Sequence, residues 1–298
     1  MKKGFQESKL RMLADPLGRL TLAALEEKEL CGLARALAAE DPYRERHHLE
    51  EALRLANAAE TDLSVVIGHQ LWCAWRQARW STGRIAADEF GATIEVDGAG
   101  WIAETEGKPT ILIAPMTLCT GDAVEAVLHF ANRECKLRDV IFYGEDMGGK
   151  RGAQFVCGEE LSVIRQISRV LANGGVFCTY PDFVYRGRAA LPVRIFGTTR
   201  PMSSGFAYLA ARSGMYLLPC LLLHRGGGIV AQISEPVLLE DASEPGGPSF
   251  QALVAQVVAD ALEDLIRRAP EQWLLLPTLS FDAPEMAPQA PGEARGAA

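Results

Sequence analysis

From residue 93 onward, short apolar or β-branched runs alternate with amphipathic segments, and this alternation constrains the fold more than any other feature of the chain. In order come "ATIEV", "TILIAP", a helix from about 121, "DVIFY", a helix from about 159, "GGVFCTY", "LPVRIF", a helix from about 203, "MYLLPCLLL", "GIVAQISE" and a last helix from about 249. Apolar runs too short for helices, separated by segments of helical period, imply an α/β layer with helices flanking a largely parallel central sheet. Residues 20 to 80 have a different texture. "LTLAALEEKELCGLARALAAE" and "HLEEALRLANAAE" are rich in Ala, Leu, Glu and Arg with apolar positions three and four apart, so helices are expected there. The end, "FDAPEMAPQAPGEARGAA", is dominated by Pro, Ala and Gly and reads as a tail without a core. The expected organisation is an N-terminal helical subdomain at 1–90, an α/β domain at 91–280 and a disordered tail at 281–298.

Charge narrows the function classes. The formal net charge of -8 argues against a general nucleic-acid binder, which needs a basic footprint to neutralise phosphates. That charge is unevenly spread: between Phe183 and Ser234 no Asp or Glu occurs, and Arg186, Arg188, Arg194, Arg200, Arg212 and Arg225 give the segment +6, leaving -14 elsewhere. The 7 cysteines form no CxxC pair and several lie in apolar runs, which fits a reduced, cytoplasmic protein. Five histidines at 47, 48, 69, 129 and 224 show no metal-ligand spacing. Charged residues where a signal peptide would be apolar, and no apolar run near the roughly 20 residues a membrane helix needs, lead to the expectation of a soluble chain without membrane insertion.

In an α/β layer, chemistry gathers at the carboxyl ends of strands. "ILIAPMTLCTGDAVEAVLHF" is a buried strand, a polar turn and a helix entry at Asp122, with Thr117 and Cys119 in the turn. Asp122 either caps the helix or acts at its positive end. Asp122, Glu125 and His129 share a helix face, with His129 nearly two turns in. "VIRQISRVLANGGVFCTYPDF" is a helix bearing Arg165, a Gly stop and a strand ending at Asp182. In "PVRIFGTTRPMSSGFAYLAARSGMYLLPCLL", a helix entry at Ser203, Ser204 and Gly205, flanked by Arg194 and Arg200, offers free amides and positive charge for a phosphate or a developing oxyanion. An ordinary cap is the structural alternative.

Taken in order, these pieces resemble the late acyltransferases of lipid A biosynthesis, within the lysophospholipid acyltransferase superfamily. The resemblance runs from "EGKPTILIAP" to "PEQWLLL" and rests on Asp122, on Arg165 with Gly174, Gly175 and Asp182, on Phe196 with Gly197, on Ser203 to Gly205, and on Pro270 to Trp273. It implies transfer of an acyl group from a CoA or carrier-protein thioester, with no bound cofactor. Three departures stand out. Thr117 occupies the position, five residues before Asp122, where the family carries its proton-accepting histidine; the N-terminus offers amphipathic helices where relatives carry a membrane anchor; and "LPTLSF" replaces the basic pair after the Trp motif.

Three explanations of the missing histidine follow. The first is direct transfer to a small or carrier-bound acceptor in specialised metabolism, an amine above all, because a free amine needs less general-base help. Asp122, with Thr117 as relay, then orients the acceptor, Arg165 and the 194–205 region grip the donor's phosphate or the tetrahedral oxygen, and Asp182 is a further substrate-binding candidate. The second makes Cys119 a nucleophile activated at a helix N-terminus. The third is a scaffold that binds an acyl chain or an acyl or peptidyl carrier protein without turnover. A lipid A-type acyltransferase remains the alternative biology.

Overall fold

The computed structural model describes residues 23–40, 45–82, 94–133, 139–143, 153–156, 160–182, 190–203, 205–210, 215–239 and 249–279. The expected tail, Ser204, and the arginines at 186, 188 and 212 lie outside these residues. Three helices lead the chain: α1 (Glu27–Glu40), α2 (Glu45–Leu55) and α3 (Leu63–Ser81). Asp62 caps α3 by accepting a hydrogen bond from the Ser64 amide at 2.8 Å. The α/β layer follows as β1 (Ile94–Asp97), α4 (Ala99–Glu104), β2 (Thr110–Ile113), α5 (Thr120–Arg133), β3 (Val140–Tyr143), β4 (Ala153–Val156), α6 (Glu160–Ala172), β5 (Val176–Thr179), β6 (Ala190–Ile195), β7 (Thr198–Ser203), α7 (Gly205–Ala210), β8 (Met215–Arg225), β9 (Gly228–Ile233), β10 (Val237–Leu239) and α8 (Phe250–Arg268).

The main sheet has the order β1-β9-β8-β2-β5-β3-β4, with β10 on the first half of β8. It is largely parallel, as expected: β2 pairs in parallel with both β5 and β8, β3 with β4 and β5, and β1 with β9. The antiparallel exceptions are β8 with β9 and β10. β2 is four buried residues because helices cover both of its faces. β2 lies between its parallel neighbours β8 and β5, and the crevice beyond its carboxyl end is on the side of the sheet where α/β proteins place ligands. β8 outruns its neighbour: Ile113, the last residue of β2, pairs with Pro219, and β8 continues to Arg225 along β9.

β6 and β7 form a separate hairpin. Its turn is Phe196-Gly197, both at positive φ (51° and 71°), the geometry of a tight hairpin turn. A phenylalanine in that conformation is strained, and three contacts hold it: its amide donates to Glu263 at 2.6 Å, its ring lies 5.8 Å from that of Trp273, and the Arg267 guanidinium sits 5.1 Å over its other side. The stretch after this turn, expected to lead directly into a helix, is first a strand. Gly174 ends α6 at φ 74°, where a Cβ would meet the Gly107 carbonyl at 2.4 Å, so only glycine fits the approach. The leading helices share the core of the layer: Leu53, Val66 and Leu71 belong to one buried cluster with Ile111, Ile113, Val258 and Trp273.

Candidate active site

The turn after β2 is held on both sides. On the β5 side, Asp182 accepts at Oδ2 from the Met116 amide (2.8 Å) and from the Trp273 indole (2.7 Å). On the β8 side, the Thr117 hydroxyl donates to the Leu222 carbonyl. The Pro270–Trp273 segment closes the crevice from below: beyond the Trp273 bond, the Leu274 amide reaches the Met116 carbonyl (2.8 Å), and the Gln272 side chain clamps both backbone groups of His224 (2.9 and 3.1 Å). The β2 turn, Asp182 and the Pro270–Trp273 segment, scattered in sequence, therefore meet at one place.

Asp122, at the first turn of α5, is fully buried. Its carboxylate is gripped by α3: Arg76 donates from Nε to Oδ2 at 2.8 Å and from Nη2 to Oδ1 at 2.9 Å, and the Trp80 indole donates to Oδ1 at 2.5 Å. Trp80 lies directly against the helix entry, since a Cβ on Gly121 would fall 2.6 Å from its ring. Because both ends are largely desolvated, removing one partner of this bidentate pair costs more than breaking a surface ion pair. No relay from Thr117 to Asp122 exists in this arrangement; the threonine hydroxyl is spent on β8, and Thr117 is 1% exposed.

Cys119 is a core thiol. It is buried, and burial first, then the Asp122 carboxylate, push its pKa up, the opposite of what a helix-activated nucleophile requires. His69, from α3, contacts the Thr117 carbonyl through Nε2 at 2.6 Å and Cys73 Sγ at 3.4 Å. Burial pushes its pKa down to about 4, partly offset by backbone carbonyls of Thr117 and Gln272, so it stands neutral.

Asp182 is 7% exposed, and burial raises its pKa to about 6 against the lowering effect of the Met116 and Trp273 bonds. Its Oδ1 has no partner among the described residues, and neither has the buried hydroxyl of Tyr180, two residues earlier. The burial of Tyr180 raises its pKa, with Asp182 among the contributing charges. Arg200, expected to grip the donor, is itself buried and bonded to Thr278 through the Thr278 carbonyl and, at 3.4 Å, its hydroxyl. Arg194 is exposed on β6, with its backbone clamped by Gln256 at 2.9 Å in both directions. Arg165 is exposed on α6. Ser203 accepts from the Gly205 amide at 3.3 Å, the local cap that was the structural alternative. Asp122 and Asp182 thus flank the β2 turn as expected, whereas Arg165 and Arg194 point to solvent and Arg200 braces the C-terminal segment.

The residues missed in sequence are Arg76 and Trp80. They lie four apart on α3, with Trp72 one turn earlier, in "WCAWRQARW", and the signal was a cation and indoles in one helical row.

Residues 144–279 match the family model described as bacterial lipid A biosynthesis acyltransferase. The match contains Arg165, Gly174, Asp182, Phe196 and Pro270 to Trp273 and begins beyond the Thr117–Asp122 turn. Among solved structures, the chain is similar to the crystal structure of the 1-acyl-sn-glycerophosphate (LPA) acyltransferase PlsC from Thermotoga maritima, at 16% identity and a TM-score of 0.38, over 84% of this chain and 97% of that one. No curated protein matches. Among the described residues, no helix is long and apolar enough to cross a membrane.

Proposed function

We propose that this chain, whose residues 144–279 match the bacterial lipid A biosynthesis acyltransferase model, transfers an acyl group from a CoA or carrier-protein thioester to an amine-bearing acceptor. The observation that carries this reading is the pair of buried, unpartnered groups just beyond β5: Asp182 Oδ1 and the Tyr180 hydroxyl. Leaving such groups unmet costs about 1–3 kcal/mol each, a cost that a bound ligand or an ordered water relieves. The two groups are complementary to the two partners of acyl transfer. A carboxylate oxygen accepts from the N–H of the acceptor, and a phenol donates to the thioester oxygen as it becomes an oxyanion. Burial raises the Asp182 pKa to about 6, so the carboxylate is ionised at neutral pH and accepts a hydrogen bond from the neutral amine.

Asp122 has a different role in this reading from that of its family counterpart. Its lone pairs are used by Arg76 and Trp80, so it anchors α3 to the helix entry and takes no part in proton transfer. That closure is also the observation favouring the scaffold reading, in which a thioester is bound and never consumed.

Incubation with a panel of acyl thioesters and primary-amine acceptors separates the two. Thiol release matched by acylated acceptor in the mass spectrum supports transfer; binding without thiol release supports the scaffold. Specialised metabolism and a carrier-borne substrate are parts of the proposal that the same panel addresses, through its acyl-CoA and acyl-carrier-protein arms.

A further inference from the structure

The family position for a proton acceptor is Thr117, yet a different histidine reaches the same end of the sheet. β8 runs past β2, and its side chains alternate faces: Leu218, Cys220 and Leu222 pack in the buried cluster that contains Ala123, Val124 and Val127 of α5. His224 continues that parity, two residues beyond the Leu222 carbonyl that receives the Thr117 hydroxyl. It therefore emerges on the α5 face, the face on which Asp122 opens its helix. Its backbone is fixed by Gln272 at both groups, and its ring stacks on Trp72 at 3.8 Å between centroids with 20° between planes. Trp72 is held in turn by its indole bond to Glu27 at 3.2 Å, with the Arg76 guanidinium 5.7 Å from its ring. The row is continuous: His224, Trp72, Arg76, Asp122.

Resting on the acyl-transfer reading above, we infer that His224, supplied from β8, is the proton acceptor that Thr117 cannot be. It is only half-buried, unlike His69. In the step it serves, the acceptor nitrogen attacks the thioester carbonyl carbon, forming a C–N bond, and the C–S bond breaks with the electron pair leaving on sulfur. The proton released from nitrogen passes to the His224 imidazole and from there to the departing thiolate, so the imidazole is regenerated. The groups facing His224 set its basicity. Burial lowers its pKa first; Glu27 of α1 and Asp122 of α5 pull it back up, and Arg76 of α3 adds to the lowering, with neutral His69 of α3 alongside. The imidazole is thus unprotonated and ready at neutral pH.

Two variants test this. His224→Gln removes the base, and His224→Phe removes the base while keeping a ring on Trp72. In the thioester and amine assay, both are expected to lose about 100-fold in kcat, with donor KM unchanged, and to lose the rise of rate with pH that the wild type shows as the imidazole deprotonates. A stacking role alone would leave His224→Phe active, with the wild-type pH profile; that result, or undiminished turnover in both variants, overturns the assignment while leaving the acyl-transfer reading intact. A wild-type protein that binds thioesters and never consumes them overturns both.

Discussion

Removing Arg76 leaves the Asp122 carboxylate buried at the start of α5 with the Trp80 indole still donating to it, and this is the sharpest test of how the β2 turn is held. Asp122 is wholly inaccessible and the Arg76 side chain only 15% exposed, so water cannot replace the guanidinium. Breaking one end of such a pair costs about 3–5 kcal/mol. With an unfolding entropy of about 2.1 cal/mol/K per residue, a chain of this length has roughly 0.6 kcal/mol/K, so Arg76→Leu is expected to lower Tm by about 5–8 °C. Asp122→Asn removes the charge and keeps an oxygen for Trp80. In the double variant the asparagine has no charge to compensate and the leucine packs on Trp72, so stability returns to within about 1 kcal/mol of the wild type. Thermal and urea unfolding of the four proteins measures the cycle. A loss under about 1 kcal/mol for Arg76→Leu would refute the reasoning, because the pair would then behave as a solvated one.

Other expectations follow from the same interior. His69 has its folded pKa held near 4, below the unfolded value of about 6.5, so the unfolded state binds the extra proton first and stability is lost as pH falls from 6.5 towards 4, by roughly 3 kcal/mol from this residue; His69→Gln should flatten that part of the pH–stability curve, and an unchanged slope would show that His69 is protonated in the native state. Asp182 acts in the opposite sense: its raised folded pKa removes stability as pH rises from about 4 to about 6, and Asp182→Asn should abolish that contribution in urea titrations at the two pH values. Cys119→Ala should keep turnover, and intact-mass measurement after thioester incubation should find no acyl adduct; an adduct lost in this variant would restore the nucleophile reading.

The strands and helices carried by strong apolar runs were legible from sequence, and so was the parallel layer they build. β4, β7 and β10 were not. "AQFV" is short, "TTRPMS" carries a proline and an arginine in a hairpin edge, and "VLL" follows a proline, so none has the length or alternation of a strand. Asp122 and Asp182 lie just beyond strand ends, but their contacts could not be read from spacing. Asp122 is the case in point. Its partner Arg76 sits 46 residues earlier on a helix whose apolar face looked like ordinary packing, and nothing local ties a carboxylate to a cation across that distance. Arg200 shows the reverse error, since a cation in an acid-free segment suggested a ligand while its bond to Thr278, 78 residues on, makes it a brace. His224 was legible only as one of five histidines until β8 proved long enough to carry it past β2.

The central claim is that an acceptor amine docks on Asp182 Oδ1 beside Tyr180 and takes the acyl group there. Asp182→Asn tests it most directly, because the amide can keep an oxygen towards Met116 and Trp273 while presenting an NH2 group where the free carboxylate oxygen stood. Acceptor KM and donor KM are measured separately at pH 7.5 with the thioester that supports turnover. Loss of a charged hydrogen bond worth about 1.5–3 kcal/mol predicts an acceptor KM higher by about 10- to 100-fold, with donor KM unchanged. An acceptor KM equal to that of the wild type would contradict the claim.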